Sequence, residues 1–486
     1  MQGVGLYRVE ELRAVEARAT EGLPPRTLMQ RAGRAAAESV VRRYPDARRV
    51  LILCGPGNNG GDGYELATRL KQAQRDALCV ALSPPIADEA RGARALWDAA
   101  GGITAPHLPT GQPFDLVVDA MFGIGLTRPL RAAYLDAARW MNDQAAPVLA
   151  LDVPSGLDAD TGAWVGGVQG VLADATIAFI AAKPGLLTHA GCDASGAVEV
   201  ADLTIELPAP TGWRNGPEHF RTVNAPRRRD THKGSFGDVA VVGGGVGMLG
   251  APLLAARAAL RLGAGRVYVE CIGAPALRLD PLQPELMFCP SASLPRADAW
   301  VVGCGLGSDA AAQAALRAVL VRADTVVLDA DALNLLAAGA VLLTRSDQTR
   351  VLTPHPLEAA RLLGADAAGV QADRIAAARA LAHRHSAFVV LKGAGSVVAA
   401  PDGRYWINPT GSPALATPGS GDVLAGMIGA LLAQGFYPLH ALLAAVWLHG
   451  AAADRFGGDV GLAAGDLPSL AAAALAELRR ASSVAR

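Results

Sequence analysis

The sequence predicts an α/β protein of two domains, each a mostly parallel sheet with helices on both faces. Three observations predict it. Short apolar runs alternate with stretches of helical periodicity along most of the chain, as βαβ units require. The alternation lapses between Pro208 and Arg229, where proline, glycine and arginine crowd together, a composition suited to a linker. Finally, 486 residues are more than one hydrophobic core organises. The expected domains are residues 1–213 and 231–486, with 214–230 between them.

Composition narrows the function classes. Residues are 51% hydrophobic and 18% charged, with a net charge of −1, so no electrostatic case exists for nucleic acid or an anionic membrane. The Arg227–Arg229 run sits beside a proline and reads as solvated linker. No uncharged apolar run is long enough to span a bilayer. Arg8, Glu10 and Glu11 exclude a secretory signal at the start. Cys54, Cys79, Cys192, Cys271, Cys289 and Cys304 have no metal-ligand spacing, which suits thiols in a reducing compartment. A cytoplasmic, homo-oligomeric enzyme is expected.

In the first half, two helices are expected over Val9–Ala19 and Leu28–Val41, parted by Pro24-Pro25. Strands follow at Val50–Cys54, Ala77–Leu82, Phe114–Val118, Val148–Leu151 and Thr176–Ile180. Helices are expected at Tyr64–Gln72, Ala87–Ala99 and Ala132–Met141. The unusual residues lie at strand ends, where α/β sheets bind ligands. The first strand runs into Gly55-Pro56-Gly57-Asn58-Asn59-Gly60-Gly61-Asp62-Gly63. Read as a loop, it is a polar cradle whose amides can face a phosphate while Asn and Asp bind a hydroxyl or cation. The third strand ends at Asp119, followed by Met121 to Pro129 with an arginine for phosphate pairing. The fourth ends in Asp152-Val153-Pro154-Ser155-Gly156-Leu157-Asp158.

The strings G-N-N-G-G-D-G, D-A-M-F-G-I-G-L and D-V-P-S-G-L-D resemble the N-terminal domain of the NAD(P)H-hydrate epimerases, across roughly Val9 to Pro208. The resemblance implies a Rossmann-like domain. It also implies that Asn58, Asn59, Gly60, Gly61 and Asp62 line a hydrated-nucleotide site with Gly123, Ile124, Gly125, Leu126, Thr127, Arg128 and Pro129. Asn59, Asp119 and Ser155 are the implied potassium ligands, and Asp152 the acid–base residue facing the reacting ring.

The second half repeats the alternation. His232–Gly237 leads into a strand at Val239–Val242, a glycine-rich turn and a helix at Ala251–Leu262. Gly245, Gly247 and Gly250 fit G-x-G-x-x-G, with Glu270 at the acidic residue's distance, so a dinucleotide site of the dehydrogenase kind is one reading. Strands at Trp300–Val302, Thr325–Leu328, Val351–Thr353 and Phe388–Leu391 end respectively in Gly303–Gly307, Asp329–Asn334, Pro354–Glu358 and Lys392–Ser396. His355 between two prolines is held to a loop. A lysine closing a strand before a glycine turn suits a phosphate. Gly419-Ser420-Gly421-Asp422 opens an apolar helix through Val423, Leu424, Met427 and Ile428. Helix N-termini attract anions, although Ser420 or Asp422 could equally be a plain cap.

G-S-G-D resembles the ribokinase-like superfamily. Taken together, H-K-G-S-F-G, D-A-D-A-L-N, T-P-H-P-L-E, L-K-G-A-G-S and G-S-G-D-V-L-A-G resemble the ADP/ATP-dependent NAD(P)H-hydrate dehydratases, over nearly all of Thr231 to Leu470. One departure is Gly411-Ser412-Pro413-Ala414-Leu415, where that family reads G-N-P-G-M. The resemblance implies a ribokinase-like domain with Asp422 as catalytic base. It implies contacts to the hydrated cofactor from Ala251, Gly305, Gly307, His355 and Asp422. Lys392, Gly393, Ala394, Gly395, Ser396 and Gly421 would hold ADP or ATP, with Mg2+. The implied activity is repair of hydrated NADH and NADPH, by epimerisation of R and S forms and dehydration of the S form. A vitamin or sugar kinase fused to a nucleotide-binding module is the rival reading of G-S-G-D, and a nucleotide-sensing module that of the first half.

Overall fold

The computed structural model describes residues 3–293 and 296–484; the outermost residues of both expected domains lie outside these. The chain divides into two compact units, one spanning Val4–Gly212 and the other comprising Trp213–Arg486 with Met1–Gly3.

In the first unit, seven strands form one sheet in the order Ile103–Ala105, Asp76–Val80, Arg49–Cys54, Leu116–Ala120, Val148–Leu151, Ala175–Phe179, Ala197–Ala201. Every neighbouring pair is parallel. The strand order reverses between Arg49–Cys54 and Leu116–Ala120, which opens the crevice where doubly wound sheets take ligands. One core lies on each face: Ile52, Val118 and Leu149 point to one side, Leu51, Val117 and Ala150 to the other. The edge strands Ile103–Ala105 and Ala197–Ala201 are not among the expected ones: the first is three residues long, and the second is partly exposed and interrupted by Glu199.

The glycine-rich stretch after the first strand is a loop only as far as Gly57. The helix expected from Tyr64 begins at Asn58 and runs to Gln72. Glycine weakens an isolated helix, but here it allows close packing. A Cβ at Gly60 would stand 1.9 Å from the Gly55 carbonyl oxygen, and one at Gly63 would stand 2.7 Å from Ala120 Cβ and 3.0 Å from Cys54 Sγ. Gly63→Ala is therefore expected to destabilise the unit by about 1–3 kcal/mol despite the better helix former, read as a lower denaturant midpoint at unchanged slope.

In the second unit the parallel strands lie in the order Phe388–Leu391, Thr349–Leu352, Thr325–Leu328, Ala299–Val302, Asp238–Gly243, Arg266–Cys271, Met287–Phe288. Val397–Ala399 and Tyr405–Ile407 extend the Phe388 edge in antiparallel fashion. From Val423 on, helix Ser420–Ala433 is apolar all round, as a buried helix must be, and packs with Gly250–Arg261 in the main core. Gly426 sits where a Cβ would lie 2.0 Å from the Ala255 carbonyl oxygen, which lets these helices touch. Trp213, Phe220 and Val223 are buried in the same core, and Trp213 stacks on Trp406 at 5.1 Å.

Of the six cysteines, Cys192 is exposed, Cys289 half-buried and the other four buried. Among the described residues no helix is long and apolar enough to cross a membrane.

Candidate active sites

At the crevice of the first unit the fourth-strand carboxylate is held in an unusual way. Asp152 has φ 69°, a left-handed conformation that costs a branched-free acidic residue less than most. Its Oδ2 accepts the Ile124 N–H at 3.0 Å, and a Cβ at Gly123 would come within 2.5 Å of that oxygen. Its Oδ1 accepts Lys183 Nζ at 2.5 Å. Lys183 is fully buried and also donates to the Phe179 carbonyl at 2.7 Å. The sequence reading missed this lysine; the signal was a lone charge closing the apolar run Ala175–Ala182.

Asp119 is wholly buried. It accepts the Ser155 N–H and Oγ–H, each at 2.7 Å, and the Met121 N–H at 3.1 Å. Burial pushes its carboxyl up to about 6, while these donors pull the other way. Asn59 is buried and donates to the Leu151 carbonyl at 3.2 Å; its Oδ1 is buried with no hydrogen-bond partner. Asp62 is half-buried, and burial followed by the Asp152, Glu16, Glu65 and Glu89 carboxylates pushes it well above the usual range. Of the other expected residues, Asn58, Gly125, Thr127 and Arg128 are exposed. Leu126 turns back to the Gly123 carbonyl at 3.3 Å, and Pro129 packs beside Gly166. Thus Gly123, Ile124 and Asp152 meet directly, as do Asp119 and Ser155, while Thr127 and Arg128 reach neither group.

In the second unit, Gly419 takes φ 90° at the N-cap of helix Ser420–Ala433, where a Cβ would lie 2.5 Å from Leu254 Cδ1. Only glycine suits both demands. Asp422 falls in the first helical turn. Burial, then the Asp329 carboxylate, push it up to about 6; the Cys304 thiol and Lys392 act in the opposite sense. The donor atoms of Cys304, Asp329 and Asp422 lie within 4.8 Å of one another, close enough to ligate a cation. Lys392 already supplies a positive charge there, its Nζ 2.7 Å from Asp329 Oδ1. That Nζ is also 3.2 Å from where a Gly421 Cβ would project, so the ammonium lies over the helix start.

His449, on the buried helix Pro438–Phe456, bonds through Nε2 to the Ser420 carbonyl at 2.9 Å. Burial lowers its pKa to about 4, so the neutral ring donates there and holds the turn. Ser420 Oγ donates to the Leu415 carbonyl at 3.0 Å. This ties the turn to the divergent Gly411–Leu415 loop, in which Ala414 is buried and the Ser412 Oγ is buried without a partner.

Ala251 and Gly305 are neighbours, a Gly305 Cβ falling 3.1 Å from that of Ala251. Gly307 N–H donates to Asp331 Oδ2 at 2.8 Å. His355 caps helix Pro356–Leu363 by accepting the Leu357 N–H at Nδ1. Its Nε2 lies 3.3 Å from Glu358 Oε1, and burial followed by Lys392 lowers its pKa. Gly393 to Ser396 form a turn closed by Ser396 Oγ on the Gly393 carbonyl at 3.0 Å. The buried Arg374 packs under it, bonding the Leu391 and Lys392 carbonyls. Gly305, Asp329, His355 and Lys392 follow the C-terminal ends of neighbouring parallel strands, the usual ligand edge of such a sheet.

Both units match known families. A family model described as YjeF-related protein N-terminus matches residues 25–185, and one described as NAD(P)H-hydrate dehydratase matches residues 239–476. The chain is 40% identical to the bifunctional NAD(P)H-hydrate repair enzyme Nnr of Escherichia coli (strain K12), over 93% of this chain and 90% of that one. The chain belongs to the bifunctional NAD(P)H-hydrate repair enzymes. The Coxiella burnetii member is 37% identical over 95% of this chain and 97% of its own. A crystal structure of a ribokinase-like superfamily protein from Enterococcus faecalis V583 has 26% identity and a TM-score of 0.50. It covers 56% of this chain and 98% of its own. Membership in the repair family decides against the vitamin or sugar kinase reading of G-S-G-D. It likewise replaces the dehydrogenase reading of Gly245–Gly250. The repair family's two activities, epimerisation and ADP- or ATP-dependent dehydration, accordingly belong to the two units in chain order.

Proposed function

We propose that this chain restores hydrated NADH and NADPH through Asp152 in the first unit and Asp422 in the second. The observation that carries the reading is the Asp422 carboxylate in the first turn of a helix whose start lies under the Lys392 ammonium. A base and a phosphate seat are thus side by side. In the hydrate, a hydroxyl sits on the carbon next to the ring nitrogen. The nitrogen lone pair can expel it, but hydroxide is a poor leaving group. Asp422 takes the hydroxyl proton as the oxygen attacks the terminal phosphorus of ADP or ATP, releasing AMP or ADP. The first-turn amides, Gly421 among them, and Lys392 stabilise the charge on the transferring phosphoryl. Phosphate then departs, and proton loss from the adjacent carbon restores the ring double bond.

Ala251, Gly305, Gly307 and His355 are assigned to the hydrated cofactor, and the Lys392–Ser396 turn to the adenine nucleotide, which would carry Mg2+. In the first unit, Asp152 does the acid–base work of inverting the stereocentre that bears the hydroxyl, while Lys183 fixes its orientation. Asn58 to Asp62 and Gly123 to Pro129 are assigned to the nucleotide there. Potassium fits Asn59, Asp119 and Ser155: all offer hard oxygens, and the partnerless Asn59 Oδ1 supports the assignment. A bound cation would supply the charge that keeps the buried Asp119 ionised. The buried thiols support a cytoplasmic location, and the assembly we propose is a homo-oligomer.

The test is direct. Mixed R and S hydrated NADH is incubated with ADP or ATP, and the absorbance of the reduced ring is followed. Full return is expected, with the R form consumed through epimerisation. A stable phosphorylated product in place of NADH would overturn the reading.

A further inference from the structure

Asp329 is assigned no role by the reading above, yet it lies at the centre of the dehydratase site. It closes the strand Thr325–Leu328 and is buried, with 1% of its surface exposed. Its Oδ1 accepts Lys392 Nζ at 2.7 Å and Thr353 Oγ–H at 2.8 Å. Its Oδ2 stands 3.9 Å from where a Gly421 Cβ would project, so it faces the first turn of the Asp422 helix. Two carboxylates this close in a buried setting each disfavour the other's charge, and an ammonium between them limits that penalty.

We propose that Asp329 is a positioning residue for dehydration: it holds the Lys392 ammonium over the phosphate seat and sets the charge environment of the base Asp422. This rests on the assignment of the second unit as a nucleotide-dependent dehydratase. The other groups that bear on Asp422 are Cys304 and Asp331, from the two neighbouring strand ends, and Lys392. Glu358 and His355 act on Lys392 from helix Pro356–Leu363, and His449 reaches the Ser420 carbonyl from the far side. Of these, Asp329 is the largest charged influence raising Asp422, and it is the group bonded to Lys392. A deprotonated base is needed, so activity should rise as pH climbs through the pKa of Asp422, about 6. With Asp329 made neutral, the largest charge raising Asp422 is gone while Lys392 still acts to lower it, and the base ionises at lower pH.

The full chain, its Asp329→Asn and its Asp329→Glu variants are compared in nucleotide-dependent dehydration of S-form hydrated NADH, as kcat and KM against pH. In Asp329→Asn the acidic limb is expected to fall by about one pH unit, and KM for ADP or ATP to rise about tenfold as the ammonium loses its anchor. Asp329→Glu retains the charge, so its limb is expected to stay near that of the parent chain while KM rises. A folded Asn variant with an unmoved limb, or with a uniform kcat loss at unchanged KM, overturns the proposal. Should the Asn variant not fold, a Glu variant with unchanged nucleotide KM overturns it instead. If the parent chain shows no nucleotide-dependent dehydration, it is the dehydratase assignment that fails.

Discussion

Asp422→Asn is expected to abolish nucleotide-dependent dehydration while R and S hydrated cofactor still interconvert at the parent rate. The amide is the same size as the carboxylate, so the helix Ser420–Ala433 and its apolar packing have no reason to change. What disappears is the proton acceptor, a role worth about 10²–10⁴ in rate. Binding should largely persist, so the deficit belongs in kcat. Removing a carboxylate beside Asp329 also relieves repulsion, so the variant is expected to be at least as stable as the parent. Single-turnover assays with S-form substrate, and chromatographic separation of the epimers without nucleotide, read the two activities separately. Loss of both activities in a folded variant would refute separate sites.

Asp152→Asn is expected to do the converse, cutting epimerisation by about 10²–10⁴ and sparing dehydration of pure S form. Here stability changes as well. Lys183 Nζ is buried against Asp152 Oδ1 at 2.5 Å, and a buried ammonium stripped of its partner costs about 3–5 kcal/mol. The loss of activity therefore needs separating from unfolding. Adding Lys183→Met to Asp152→Asn removes the orphaned charge and should recover most of the stability, with no recovery of epimerisation. A double variant that regained both would mean that Asp152 serves only to neutralise the lysine. Denaturant midpoints and epimer ratios on the same preparations decide between the two.

Several parts of both sites are legible in the sequence alone because they are local. Strand ends could be placed from apolar runs, and polar residues just beyond them mark the ligand edge of a parallel sheet. Asp152 and Lys392 lie at such positions and Asp119 next to the end of its strand, while the turn at Gly419–Asp422 is marked instead by glycines opening an apolar helix. The error at Gly60–Gly63 was one of local propensity. Glycine argues for a loop, but contact with Gly55, Cys54 and Ala120 rewards its missing side chain inside a helix. Lys183 is marked only as a lone charge after an apolar run, and His449 escapes notice because nothing in its own neighbourhood marks it. Their meaning comes from partners 31 and 29 residues away.

By itself the sequence determined the alternation of strand and helix, the two-unit organisation it implies, and the chemical groups available at each strand end. Those follow from periodicity and residue type, which act over a few residues. Only the tertiary structure decided which charges face one another: Asp152 with Lys183, and Asp329 with both Lys392 and Asp422. Electrostatic coupling in a buried site depends on distances of a few ångströms. Those distances are set by sheet order and helix packing, which residues remote along the chain fix together.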